Sequence, residues 1–294
     1  MAAKFDVFVV GDSTVDLFLN ISEDSAYVLC QKEHCQLCFN YAEKIPLKEV
    51  ARFVATGNAA NFAVAAAKLG LKVGLYTLLG DDQDGKASKA LLKQAGVNTK
   101  YALTDPGKSS NVSAVLNYQG ERTILSFHQT RQYDLPNNIK TNWFYFSSVA
   151  EVTNHLEQQL VALVKASGAK LVFNPGSLQL KRGLIGMRDL LAICQLLILN
   201  KEEACALLDQ TKETPVTEML AQLQTFGPKI VVITDGQQGS WCADGTSKYF
   251  MPIVSSPVKD RTGAGDSYAA GLIAALVLGK SLRLKMILLT MQKS

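Results

Sequence analysis

A regular alternation of short apolar runs with helix-patterned stretches constrains this chain more than any other feature. Phe5 to Val10 (FDVFVV) reads as a buried strand that ends at Gly11-Asp12. Residues 59–69 are Ala-rich and suit a helix packed tightly on a sheet, with Gly70 as its C-cap. The pattern then repeats: a strand at 73–79, a turn at Gly80-Asp81-Asp82, and a helix at 85–94 ended by Gly96. Strands follow at 143–149, 170–174, 196–199 and 229–234, with helices at 154–166, 202–208 and 263–278. Such alternation implies a mainly parallel sheet covered by helices on both faces. Two stretches stand outside it. Residues 13–56 are polar, Cys-bearing and hard to assign, and 109–127 reads as two strands joined at Gln119-Gly120-Glu121. No linker separates independent units, so one domain over 1–294 is expected, an α/β body with an accessory β segment.

Composition narrows the function. Hydrophobic residues make up 48% of the chain and charged residues 19%, enough apolar surface for a large core. No apolar run approaches the ~18 residues a membrane span needs, and the N-terminus lacks a signal peptide's pattern, so a cytoplasmic protein with no membrane partner is expected. The 30 basic and 26 acidic residues are scattered, which gives nucleic acid no footprint. Six Cys then read as free thiols in a reducing compartment. Cys30, Cys35 and Cys38 with His34 could supply four zinc ligands. The adjacency of His34 and Cys35 makes shared tetrahedral coordination awkward, and reduced thiols packing the accessory segment are favoured.

The stretch from Asp260 to Gly271, DRTGAGDSYAAG, is the most informative one. Gly263, Ala264 and Gly265 let successive backbone N–H groups converge at a helix N-terminus, a nest suited to phosphate or developing negative charge. Asp266 behind them could accept the proton of an attacking hydroxyl. A bare Gly-Ala-Gly fits equally well with Asp266 as a helix cap.

The surrounding residues resemble the ribokinase-like (PfkB) carbohydrate kinase family. Its C-terminal signature is matched at Asp260, Thr262, Gly263, Ala264, Gly265, Asp266 and Gly271. Gly11-Asp12 with Asp16, the run Thr56-Gly57-Asn58-Ala59-Ala60-Asn61, Gly80-Asp81-Asp82 with Gly85, Gly120-Glu121-Arg122-Thr123, Asn200-Lys201-Glu202-Glu203, and Thr234-Asp235-Gly236-Gln237-Gln238-Gly239 follow in the family's order. The resemblance implies a three-layer α/β/α ribokinase-like fold with a small β lid built from about 18–55 and 109–127. It implies Asp266 as general base, and the amides of Gly263, Ala264 and Gly265 as an anion hole. Asp16, Gly57, Asn58 and Asn61 would bind sugar hydroxyls; Asn200, Glu203, Thr234, Gly236 and Gly239 would bind ATP. Glu203 would order Mg²⁺ through water, and Asp260 and Thr262 match positions that bind K⁺.

The expected activity is ATP-dependent phosphorylation of a sugar's hydroxymethyl group, ribokinase- or fructokinase-like. Asn58 stands where phosphosugar kinases often carry Lys, which favours a neutral substrate. A nucleoside kinase on the same fold is the alternative, with Tyr27, Phe39 and Tyr41 as candidates to stack a base. A non-catalytic ligand-binding protein of the same ancestry is the other. Residues 280–294 do not resemble the family's C-terminal segment and read as truncated or atypical. Lid strands with exposed edges leave room for a homodimer.

Overall fold

Strand follows helix through most of the chain because buried Val, Ile, Leu and Phe runs alternate with amphipathic ones, and the result is a nine-stranded sheet between two helical layers. The computed structural model describes residues 4–31, 34–149, 154–253 and 263–279. In chain order, β1 (Phe5–Val10) leads into β2 (Thr14–Ile21). A hairpin of β3 (Tyr27–Gln31) and β4 (His34–Cys38) comes next, then β5 (Leu47–Thr56). Helix α1 (Asn58–Lys68) returns the chain to the body, followed by β6 (Val73–Gly80), α2 (Gln83–Gln94) and β7 (Ala102–Asp105). The excursion β8 (Asn111–Tyr118) and β9 (Glu121–Phe127) precedes β10 (Thr141–Phe146), α3 (Asn154–Ser167) and β11 (Lys170–Phe173). Three short helices, α4 (Ser177–Lys181), α5 (Gly183–Gly186) and α6 (Arg188–Ile193), lead to β12 (Cys194–Asn200). The chain continues through α7 (Lys201–Leu208), α8 (Val216–Gln224), β13 (Ile230–Thr234), β14 (Ser240–Ala243), β15 (Lys248–Met251) and α9 (Ala264–Val277).

The sheet order is β15-β14-β13-β12-β11-β10-β1-β6-β7. Its pairs from β7 to β13 are parallel, and β14 and β15 run antiparallel at one edge. Alternation along each strand sends side chains to opposite faces. Phe8, Phe144, Leu197 and Val231 pack under α3, α6, α7 and α8; Val9, Tyr145, Ile198 and Val232 pack under α1 and α9. Val7 to Val10 are fully buried, which is why this strand carries no polar residue after Asp6.

A second sheet, β5-β2-β8-β9, is the accessory β segment, the expected lid. Its β2 begins at Thr14 rather than near residue 18, and Asp16 lies within the strand, alternating with the apolar residues of β2. Register puts Asp16, Phe18, Phe53 and Ser113 on one face, and Leu17, Leu19, Leu116 and Leu125 on the other. The β3–β4 hairpin packs on that second face: Leu37 and Phe39 lie against Ile21, Leu116 and Tyr118.

The hairpin corrects the reading of its cysteines. Cys30 and Cys35 are opposed in the β3–β4 ladder and form a disulfide across it, with Cα atoms 4.0 Å apart. Both are exposed, so they neither pack the lid as thiols nor remain open to a metal as thiolates. No group of three potential metal ligands occurs among the described residues, and the side chain of His34 lies outside them. Cys38 stays free and partly buried; Cys194, Cys205 and Cys242 are free and buried.

Candidate active site

Helix α9 starts at Gly263, whose φ of +72° is a left-handed conformation that suits glycine. Among the described residues no side chain caps this end, so the first-turn amides are open to a ligand. Ala264 and Gly265 are exposed, and a Cβ on Gly265 would meet nothing within 4 Å, so space is open in front of the nest. One residue on, Asp266 turns inward and is only 7% exposed. Asn61 on α1 donates to its Oδ2 at 2.9 Å. Burial pushes the Asp266 pKa up to about 6, and the Asn61 hydrogen bond opposes that rise.

A cavity of about 450 Å³ opens beside this pair, walled by Asp16, Phe18, Phe53, Asn61, Gly263 and Ser267 among others. Asp16 is buried on the lid face that looks into it, and burial raises its pKa against hydrogen bonds from Thr56, Thr14 and Ser113. The Thr14 hydroxyl donates to Asp16 Oδ1 at 3.2 Å and shares a 2.9 Å bond with the Thr56 hydroxyl. Gly57 caps α1 with φ +89°; a Cβ there would sit 3.3 Å from the Thr14 hydroxyl. Asn58 is the first residue of α1, and neither it nor Gly57 forms part of the cavity wall.

The nucleotide candidates gather at the neighbouring strand ends. Asn200 and Glu203 close a reciprocal capping box at the start of α7: Glu203 N–H donates to Asn200 Oδ1 at 2.8 Å, and Asn200 N–H to Glu203 Oε2 at 2.9 Å. Thr234, the last residue of β13, is directly in register with Asn200. The turn after it needs its glycines, since Gly236 has φ +48°, Gly239 has φ +93°, and a Cβ on Gly239 would lie 2.3 Å from the Met251 carbonyl. Lys201 ties this turn to α7 through a 3.2 Å ion pair with Asp235. Burial lifts the Glu203 pKa to about 7, its Asn200 hydrogen bond opposes this, and the charges of Asp266 and Glu202 add to the rise. Asn200 and Thr234 stand at the carboxyl ends of their strands, where ligands of open α/β sheets bind, and the charge of Asp266 is near enough to act on Glu203.

Asp260 and Thr262 lie outside the described residues, as does 280–294. The proposed stacking aromatics need correction. Tyr27 and Tyr41 are 55% and 99% exposed on the hairpin side, and Phe39 packs on the lid face turned away from the cavity. Phe18 and Phe53 line the cavity instead, edge to face at 5.5 Å. The sequence reading missed this pair, and also Thr14, Thr56 and Ser113 around Asp16. Period-2 alternation from Asp16 would have found Thr14 and Phe18, which share its face.

The fold is of the ribokinase architecture. The solved ribokinase of Arabidopsis thaliana complexed with ribose and ATP superposes with a TM-score of 0.78 at 22% identity, covering 98% of this chain and 91% of that one. Ribokinase from Thermotoga maritima gives 0.78 at 18% identity, with 97% and 90% covered. The model of the pfkB family carbohydrate kinases matches residues 25–284, and the chain belongs to that family, phosphotransferases with an alcohol acceptor that use ATP. It is similar to a Vibrio alginolyticus fructokinase, 29% identical over 250 residues, 79% of this chain and 80% of the relative. It is also similar to a Thermococcus kodakarensis cytidine kinase, 28% identical over 239 residues, 77% and 81% of the two chains. Among the described residues no helix is long and apolar enough to cross a membrane.

Proposed function

We propose that the chain transfers the γ-phosphoryl group of ATP to the hydroxymethyl group of a small neutral sugar, as a ribokinase or fructokinase does. The observation that carries this reading is the buried Asp266, held by Asn61 behind the backbone nest, beside a cavity that Asn61, Gly263 and Asp16 wall. Asp16 and Asn61 hold sugar hydroxyls from the cavity wall, with Gly57 and Asn58 shaping the α1 entrance behind them. Asp266 takes the proton of the attacking hydroxyl as its oxygen bonds to phosphorus and the bond to the β–γ bridging oxygen breaks, releasing ADP. The amides of Gly263, Ala264 and Gly265 meet the charge on the transferring group. Thr234, Gly236 and Gly239 carry the nucleotide.

Mg²⁺ suits the donors present. Glu203 is a partly buried carboxyl, and among the described residues it is not ion-paired to Lys or Arg. The capping box engages Glu203 Oε2 and leaves Oε1 for a water of the ion, with Asn200 beside it. The bound ion would offset phosphate charge. K⁺ at Asp260 and Thr262, a homodimer through the lid and a cytoplasmic setting belong to the same reading.

The Phe18–Phe53 pair favours one second reading, a nucleoside substrate whose base packs on the lid, in line with the cytidine kinase likeness. The test incubates the chain with Mg²⁺-ATP and D-fructose, D-ribose and cytidine, and weighs the products by mass spectrometry. A product lost about 100- to 10,000-fold in Asp266→Asn is expected. No product from the folded chain would leave the ligand-binding alternative, and full activity in Asp266→Asn would remove the assigned base.

A further inference from the structure

We propose that Asn61 is a positioning residue for Asp266, setting the orientation and proton affinity of the base rather than holding substrate alone. The inference rests on Asp266 being that base. Three observations carry it. Asn61 lies in the first turn of α1, where its own N–H donates to the Gly57 carbonyl at 2.9 Å, so its backbone is fixed to the helix entrance. Its Nδ2 donates to Asp266 Oδ2 at 2.9 Å across 205 residues of sequence, joining α1 to α9 at their N-terminal ends. The same amide lies against the anion hole, since a Cβ on Gly263 would be 3.3 Å from Asn61 Nδ2.

The chemistry follows from donor count. An amide nitrogen can only donate, so this bond engages one carboxylate oxygen and restrains the group's orientation, and among the described residues the second oxygen is left for the substrate hydroxyl. A hydrogen bond to a carboxylate favours its ionised form, the form a base needs. The other groups whose charges couple to this region are the Tyr145 hydroxyl on β10 and the Glu203 carboxyl at the start of α7. Neither is a cation, so among the described residues the Asn61 amide is the donor that opposes burial at Asp266. Asn61 Oδ1 remains able to accept from the sugar, and for that reason binding and positioning must be separated by experiment.

Two variants separate them. Asn61→Asp is isosteric and still offers the sugar an acceptor, but it replaces the donor to Asp266 with a like charge. Asn61→Ala removes both. Steady-state rates are measured across pH 5–9 with Mg²⁺-ATP and whichever of D-fructose, D-ribose and cytidine the wild-type chain phosphorylates. The Asp266 carboxyl is also titrated by ¹³C NMR in the unliganded protein, its resonance assigned by its loss in Asp266→Asn. A positioning role gives a kcat drop of about tenfold or more in both variants. In Asn61→Asp it also moves the acidic limb and the NMR midpoint upward by about one pH unit, with sugar KM changed less than threefold. A sugar KM raised tenfold with limb and midpoint unmoved would overturn the proposal, as would two variants that match the wild type. Should Asn61→Ala not fold, Asn61→Asp and its NMR midpoint decide alone. Full activity in Asp266→Asn is a separate result that removes the base assignment itself.

Discussion

Asp266 in its site holds a proton more tightly than an aspartate in water, and that single property has opposite consequences for catalysis and stability. Its folded pKa of about 6 lies above its ordinary 3.8 because burial disfavours the charge. As the proposed base Asp266 would work only when ionised, so kcat/KM should fall on the acidic side with a midpoint near pH 6, measured under conditions where the chain stays folded. Stability runs the other way. Between the two pKa values the native state binds more protons than the unfolded chain, so stability declines as pH rises through that window and stays reduced above it. Two pKa units correspond to about 3 kcal/mol at most. Asp266→Asn should therefore melt several degrees higher than wild type at pH 8, and the gain should vanish below pH 4. A gain independent of pH would show that the carboxylate charge is not its cause.

At the scale of elements, the joints between body and lid are made by close backbone approach and by one carboxylate. Asp82 caps α2 by accepting from Gly85 N–H at 2.8 Å, and also takes the Ser110 N–H and hydroxyl, both at 2.7 Å, at the entrance to β8. Burial acts to raise its pKa, but these donors outweigh it and hold the group below the usual range. A Cβ on Gly85 would sit 1.9 Å from the Gly80 carbonyl, so α2 can dock on β6 only with glycine there. Gly85→Ala should cost about 1–3 kcal/mol or more in urea unfolding, as overpacking does, while leaving the KM for ATP unchanged. The sequence carried part of this joint. Gly80-Asp81-Asp82 read as a turn with the helix from residue 85, whereas α2 begins at Gln83 because Asp82 is its cap rather than a turn residue. The lid was harder to read. The β3–β4 hairpin has no strong turn signal, and a cross-strand pairing of Cys30 with Cys35 depends on a register that spacing alone does not give. Phe53 stands in register beside Asp16 on the cavity face, so under the proposed function its strand would discriminate substrates. Phe53→Ala should raise KM about tenfold for a nucleoside and little for a free sugar, so comparing the two KM ratios tests which ligand the lid covers.

For the molecule as a whole, the body was legible because alternation of apolar and helical runs dictates a covered parallel sheet whatever the chain does chemically. The site was legible only through its motifs, since Asn61 and Asp266 meet by packing α1 against α9, which no local pattern expresses. The lid follows a different logic from the body. One of its faces serves the cavity, and the opposite one carries Leu17, Leu19, Leu116 and Leu125, of which the hairpin covers only the end near Ile21 and Tyr118. Val50 and Leu125 remain 55% and 58% exposed on that face, and Phe127 54%. A sheet with apolar residues on both sides is poorly suited to water and well suited to a partner, and a second copy of the same lid presents a matching surface. The homodimer proposed above should then depend on this face and not on the helical layers. Leu125→Lys should convert a dimer to a monomer at micromolar concentration in sedimentation equilibrium, with the fold unchanged by circular dichroism. Persistence of a dimer in that variant would place the interface elsewhere. A wild-type monomer at the same concentration would mean that the exposed lid face is tolerated without a second copy.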